Sequence, residues 1–177
     1  MMTNSPDLRQ MYLELLKRCL LGMIYEDPPT SAPSIGGFKT ERYIAKFREG
    51  GRDVPSQAHS MIGLHRMNNV QACIEQVLAD DVPGDLIETG VWRGGSTIFM
   101  RGVLQVYGVT DRTVWVADSF AGLPVADVER NPGNAFWAPL AGWFAVDEAT
   151  VRRNFEHYGI ENAVSREVCV GKVQWDS

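Results

Sequence analysis

Apolar residues recur at helical spacing in several stretches and run together in two short ones, and this pattern predicts the order of elements. Leu8, Met11, Tyr12, Leu15, Leu16, Cys19 and Leu20 repeat every three or four positions behind Ser5-Pro6-Asp7, read as N-cap, N1 proline and first-turn acid. A first amphipathic helix is therefore expected over residues 6–22. Residues 26–37, rich in Pro, Ser and Gly, predict a mobile lid loop. A short helix is expected over 40–48, ended by Gly50-Gly51, and Met61, Ile62, Leu64, Met67, Val70, Cys73, Ile74, Val77 and Leu78 trace one face of a long helix. After the turn Val82-Pro83-Gly84, the stretch 85–100 reads as a short buried strand, a glycine-rich turn and a helix running to Tyr107. Residues 113–117 form a second apolar run, buried on both faces in the manner of a parallel sheet and ending in Asp118. Strand, helix and strand together predict a right-handed βαβ unit. Residues 119–146 are expected to form a long loop whose aromatics (Phe136, Trp137, Trp143, Phe144) contact an apolar acceptor or pack over the sheet. Asp147 then caps a helix with Val151, Phe155 and Tyr158 inward and Gly159 beyond its end, and a third strand is expected over 164–170.

Composition narrows the class. The 177 residues suit one domain, and 45% apolar with 22% charged residues excludes a disordered chain. A net charge of -5 has the wrong sign for a phosphate-backbone binder, so no nucleic-acid partner is expected. No apolar run approaches the roughly 20 residues that span a bilayer, so no membrane segment is expected. Cys19, Cys73 and Cys169 show no paired or metal-like spacing and the first residues lack a secretory pattern, which fits a reducing cytoplasm. The mildly basic stretch 39–52 reads as a solvated helix face, and His59, His65 and His157 read as structural. Hydrolase chemistry lacks a Gly-x-Ser-x-Gly elbow.

The glycine-rich turn carries the candidate chemistry. Gly90, Gly94 and Gly95 permit close approach of a ligand to backbone, and the N-terminus of the following helix attracts negative charge. Asp118 stands 23 positions beyond Gly95, close to the roughly 20-residue offset at which an acid takes ribose hydroxyls in nucleotide-binding βαβ units. Glu88, ending the first strand, would repel a pyrophosphate but can hold an ammonium, which favours S-adenosylmethionine over NAD. Two other readings stay open: a turn rich in glycine for close packing alone, and an NAD-dependent oxidoreductase, against which the glycine spacing argues.

Three ordered stretches, 55–63 (Pro-Ser-Gln-Ala-His-Ser-Met-Ile-Gly), 84–95 (Gly-Asp-Leu-Ile-Glu-Thr-Gly-Val-Trp-Arg-Gly-Gly) and 114–124 (Val-Trp-Val-Ala-Asp-Ser-Phe-Ala-Gly-Leu-Pro), resemble the macrocin O-methyltransferase family. Tyr25-Glu26-Asp27-Pro28-Pro29 and Val151-Arg152-Arg153-Asn154-Phe155 extend the resemblance over residues 8–164. It implies an α/β, Rossmann-like class I methyltransferase fold, here partial, with residues 1–82 as an N-terminal helical and lid region and 83–177 as a partial S-adenosylmethionine-binding domain. It implies a magnesium-dependent enzyme that methylates a sugar hydroxyl of a macrolide or related glycosylated natural product. By position, Glu88 would receive the methionine ammonium, Thr89, Gly90, Val91 and Trp92 would line the methionine moiety, and Ser96 would sit in the first helical turn. Asp118 would bind the ribose with Ser119 beside it, Met61 and Ile62 would close over the cofactor from the long helix, and Glu26 would face the acceptor. The family's magnesium-ligating Asp residues follow the third strand; after Val164 this sequence has only Glu167 and Asp176 as carboxylates, so no metal ligands and no catalytic residue are assigned. The family sheet places the first strand centrally, so residues 86–88 are expected to present an open edge that favours a homo-oligomer. The alternative is a catalytically inactive, truncated remnant or adenosine-binding module without the metal site.

Overall fold

The apolar residues of Leu86–Thr89 (β1) and Val114–Asp118 (β2) pair in parallel, from Leu86 against Val114 to Thr89 against Ala117, and Val170–Lys172 (β3) joins β2 on its other side, also in parallel. The computed structural model describes residues 7–30, 41–123, 129–130, 132–133, 142–160 and 170–172. Among them the strand order is β1-β2-β3, with β1 at an edge. The helices are α1 (Leu8–Leu20), α2 (Ala45–Gly50), α3 (Leu64–Ala79), α4 (Gly95–Val106) and α5 (Glu148–His157). The chain is thus α/β with a small parallel sheet. No helix of the described residues is long and apolar enough to cross a membrane. Residues 164–169, expected in the third strand, and Phe136 and Trp137 of the expected loop lie outside the described residues.

Helix α4 fills the centre. Its Ile98, Phe99, Val103 and Leu104 join Leu13, Leu16 and Leu20 of α1, Met67 and Ile74 of α3, and Val114 and Val116 of β2 in one cluster. Each such side chain, fully buried, stabilises the fold by about 1.5–3 kcal/mol. Helix α5 matches its expected form: the Asp147 carboxylate accepts from the Thr150 N–H at 2.8 Å, and Val151 and Phe155 are buried.

Several expectations are corrected. Asp7, not Ser5, caps α1, its carboxylate accepting the Arg9 N–H. The buried face of α1 is Leu13, Leu16, Lys17 and Leu20, whereas Leu8, Met11, Tyr12 and Leu15 are exposed. The reason is that Lys17 satisfies its ammonium on Glu14 and on Asn68 of α3, at 2.6 Å for the latter, while its stem lies among apolar groups. Helix α2 starts at Ala45, after an extended Ile44, and its Arg48 is wholly buried instead of solvated. Arg48 pairs with Asp53 and donates to the carbonyls of Leu21 (2.5 Å) and Asp27 (2.8 Å), so its charge is paired inside the fold. Helix α3 begins at Leu64, leaving Met61 and Ile62 before it. Gly63 has a φ of 82, which a right-handed helix does not allow, so α3 cannot start before it; a Cβ there would stand 2.3 Å from the Gly51 nitrogen, which is why the residue is glycine. Cys73 faces outward from α3. The two faces of the sheet differ: Val114 and Val116 are buried, whereas Ile87 (62% exposed) and Trp115 (42%), paired in register, lie on a face that is largely open.

Residues 26–30 are anchored, not the start of a free lid. Thr30 N–H donates to Val54 O (2.8 Å), Ser56 N–H to Pro28 O (2.9 Å), and Pro29 bridges Pro55. Residues 31–37 of the expected lid lie outside the described residues.

Candidate functional site

The site grows from the end of β1. Gly90 N–H donates to Ala117 O (2.8 Å), which holds the turn against β2, and the backbone then passes through positive φ at Gly90 (82), Trp92 (49) and Gly94 (84). A left-handed tryptophan is uncommon and marks a turn held by its surroundings. Helix α4 starts without a side-chain cap on Gly94. Gly95 follows because a Cβ there would stand 2.5 Å from the His59 carbonyl, to which the Gly95 N–H donates at 3.0 Å. The 55–60 segment is thereby seated on the helix N-terminus.

Glu88 reaches the same helix end. Burial pushes its carboxyl up from an ordinary 4.5 to about 7, against hydrogen bonds from the Ser96 hydroxyl and Thr97, and the nearby charge of Asp118 adds to the rise. Its Oε2 is buried without a hydrogen-bond partner. A buried carboxylate oxygen left unpaired is costly and points to a missing donor. Two positions further on, a Cβ built on Gly90 meets nothing within 4 Å, so the turn is open there.

Asp118 is more structural than expected. Its Oδ2 accepts the Val91 N–H (2.7 Å) and its Oδ1 the Phe120 N–H (2.9 Å), so it ties the glycine turn to the end of β2. The Trp92 N–H reaches Oδ2 as well, at 3.4 Å, so of the roughly four acceptor sites of a carboxylate the spare one for a ligand's hydroxyl is on Oδ1. Ser119 forms a local turn, its Oγ accepting the Ala121 N–H at 3.2 Å. Thr89 and Gly90 are exposed, Val91 and Ser96 buried, Trp92 half-buried.

Arg93 and Asp27 carry contacts that sequence reasoning missed. The Arg93 guanidinium lies 4.1 Å from the Trp92 ring centroid and donates to the carbonyls of Ala58 (2.8 Å), Ser56 (3.0 Å) and Pro55 (3.4 Å). On the other side of the same strip, the Asp27 carboxylate accepts from Ser56 Oγ (2.5 Å), Gln57 N–H (2.9 Å) and Ala58 N–H (2.7 Å). Although burial works against ionisation, these donors and Arg48 hold the Asp27 carboxyl below its ordinary range. Asn154 of α5 donates to Arg93 O (2.9 Å), and His59 Nδ1 lies 2.9 Å from the Tyr158 hydroxyl. Burial, with the charges of Arg93 and His157, lowers the His59 pKa; burial and the neighbouring Tyr25 and Cys19 raise that of Tyr158. The only sequence signal for Arg93 and Asp27 was their place inside the ordered stretches.

Met61 and Ile62, half-buried, follow directly on the strip whose His59 carbonyl accepts the Gly95 N–H, and the Ile62 carbonyl lies against Gly51 at the end of α2. Glu26 is exposed with φ 50, and its neighbour Asp27 holds the Ala58 N–H of the strip that is seated on the turn. Among the described residues no group of three or more His, Cys, Asp and Glu gathers to hold a metal.

A family model described as macrocin-O-methyltransferase (TylF) matches residues 9–168. The chain is 48% identical over 156 residues to a mycinamicin III 3''-O-methyltransferase of Micromonospora griseorubida, covering 85% of this chain and 60% of that protein. It is 49% identical over 158 residues to an 8-demethyl-8-(2,3-dimethoxy-alpha-L-rhamnosyl)-tetracenomycin-C 4'-O-methyltransferase of Streptomyces olivaceus, covering 88% and 59%. Among solved structures, the O-methyltransferase NovP superposes with a TM-score of 0.76 at 44% identity, covering 86% of this chain and 60% of that one. The chain therefore spans about three fifths of the length of the relatives it matches.

Proposed function

We propose, from the premise that this chain belongs to the macrocin O-methyltransferase (TylF) family, that it binds S-adenosylmethionine and serves transfer of the methyl group to a sugar hydroxyl of a glycosylated natural product. The observation that carries the reading is the unpartnered, buried Oε2 of Glu88 at the entry to a turn that is open at Gly90. An ammonium is the donor this oxygen lacks, and its arrival favours the ionised carboxylate that burial now disfavours. When bound, the cofactor supplies a sulfonium methyl that an acceptor oxygen attacks in line as the carbon–sulfur bond breaks.

The chain's own residues bind and orient. Glu88 takes the ammonium, and Thr89, Gly90, Val91 and Trp92 line the methionine portion, with Ser96 holding the Glu88 carboxyl in place. Asp118 offers the free capacity of Oδ1 to the ribose diol while its Oδ2 fixes the turn, and Ser119 borders it. Met61 and Ile62 close from the end of the 55–60 strip, and Glu26 marks the acceptor side. Positioning of this kind supplies a large share of rate in a bimolecular displacement. In this reading the fold is the first part of a Rossmann-like class I methyltransferase, with 1–82 the helical and lid region and 83–177 the cofactor half. The names of the relatives support the acceptor class, sugars on antibiotic scaffolds. The exposed Leu8, Met11, Tyr12 and Leu15 on α1 support a homo-oligomer.

Isothermal titration of the purified chain with S-adenosylhomocysteine, with and without Mg²⁺, tests the reading. Saturable binding at a single site is expected; absence of binding under both conditions overturns it.

A further inference from the structure

The 55–58 strip is gripped from both sides through its backbone: its carbonyls face Arg93 and its N–H groups face Asp27. Arg93 does more than hold it. Its guanidinium also stacks on Trp92, a residue of the turn itself with a positive φ, and its own carbonyl is fixed by Asn154. One side chain therefore joins three separate pieces of chain: the glycine turn, the strip that leads into Met61 and Ile62, and, through Asp27, the Tyr25-Glu26 segment. We propose that Arg93 is a positioning residue for the cofactor, acting through Trp92 and the 55–58 strip so that the turn and the Met61-Ile62 segment present a single wall.

The inference rests on the proposed cofactor reading and deepens it. A planar fork with several donors and a flat face suits the task, because three carbonyls and a ring must be met at once. Lysine keeps the charge but offers neither the fork nor the stacking plane. A residue that only stabilised the fold would affect affinity no more than any other lesion of equal thermal cost. Arg93 is expected to do otherwise, since the groups it aligns are the ones that touch the ligand.

The test compares Arg93→Lys with Val103→Ala, a core truncation in α4 chosen to lower the melting temperature, using calorimetric titration with S-adenosylhomocysteine. The dissociation constant of Arg93→Lys is expected to rise about tenfold, beyond any change in Val103→Ala. In the wild-type chain, saturating S-adenosylhomocysteine is expected to slow hydrogen exchange at the Gln57 and Ala58 amides, which face Asp27; this readout decides the matter if the lysine variant does not fold. Unaltered affinity in a folded Arg93→Lys, a loss no greater than that of Val103→Ala, or unchanged exchange at 57 and 58 overturns the inference alone. A wild-type chain that takes up no S-adenosylhomocysteine overturns the functional reading and this inference with it.

Discussion

Replacing Glu88 by Gln separates what the residue does for the ligand from what it costs the fold. Glutamine keeps the shape and an acceptor oxygen for Ser96 and Thr97 but cannot ionise. A carboxyl raised from 4.5 to about 7 holds its proton more tightly folded than unfolded. Its contribution is therefore fully present below about pH 4.5 and is lost as the pH rises to about 7, at 1.36 kcal/mol per pH unit. The full span is about 3 kcal/mol, and partial exposure of the residue makes that an upper bound. Glu88→Gln should accordingly match the wild type near pH 4 and exceed it by about 1–3 kcal/mol at pH 8, read from urea unfolding at both values. Binding should move the other way, with affinity for S-adenosylhomocysteine falling by about tenfold or more as a charge-assisted hydrogen bond is lost. In the wild type, binding at pH 7 should release part of a proton, seen as calorimetric heats that change with the buffer's ionisation enthalpy. A variant equally stable relative to wild type at both pH values, or one that binds with unchanged affinity, would refute the reasoning.

Three further outcomes follow from packing and charge. Gly95→Ala forces a Cβ to within 2.5 Å of the His59 carbonyl, so thermal melting should show a loss of about 1–3 kcal/mol together with weakened cofactor binding. Arg48→Ala leaves Asp53 buried without its partner; denaturant unfolding should register about 3–5 kcal/mol, and the fold will not survive if that exceeds its margin. Leu15→Glu, on the exposed stripe of α1, should change the unfolding free energy by no more than about 0.5 kcal/mol yet shift sedimentation toward monomer; an unchanged oligomer distribution counts against that stripe as the interface.

The strand-turn-helix unit was legible because its signals are local: an apolar run, glycines at three positions of one turn, then an apolar helix closed by Gly108. The candidate site was legible to the extent that it lies on that unit, at Glu88 and along the turn. Which face of α1 is buried was not legible. That helix carries two apolar stripes, and the choice depends on Asn68, on α3, being there to receive the Lys17 ammonium. Arg48 read as a surface charge for the same reason: its partners Leu21, Asp27 and Asp53 come together only in three dimensions. Asp118 was recognised as important, but a sequence offset says nothing of the Val91 N–H that it also holds. The exposed Ile87 and Trp115 looked buried because apolar composition does not say what covers a sheet face.

The double grip on residues 55–58 also sets how this stretch can drift over evolution. Arg93 and Asp27 reach mostly peptide groups, not side chains, and Gln57 points to solvent. The identity of residue 57 is thus nearly free, apart from proline, which would remove the N–H that Asp27 accepts. The count of residues is not free: one inserted or deleted position would set the wrong carbonyl against the guanidinium and the wrong amide against the carboxylate. Such a stretch tolerates substitution and resists changes of length.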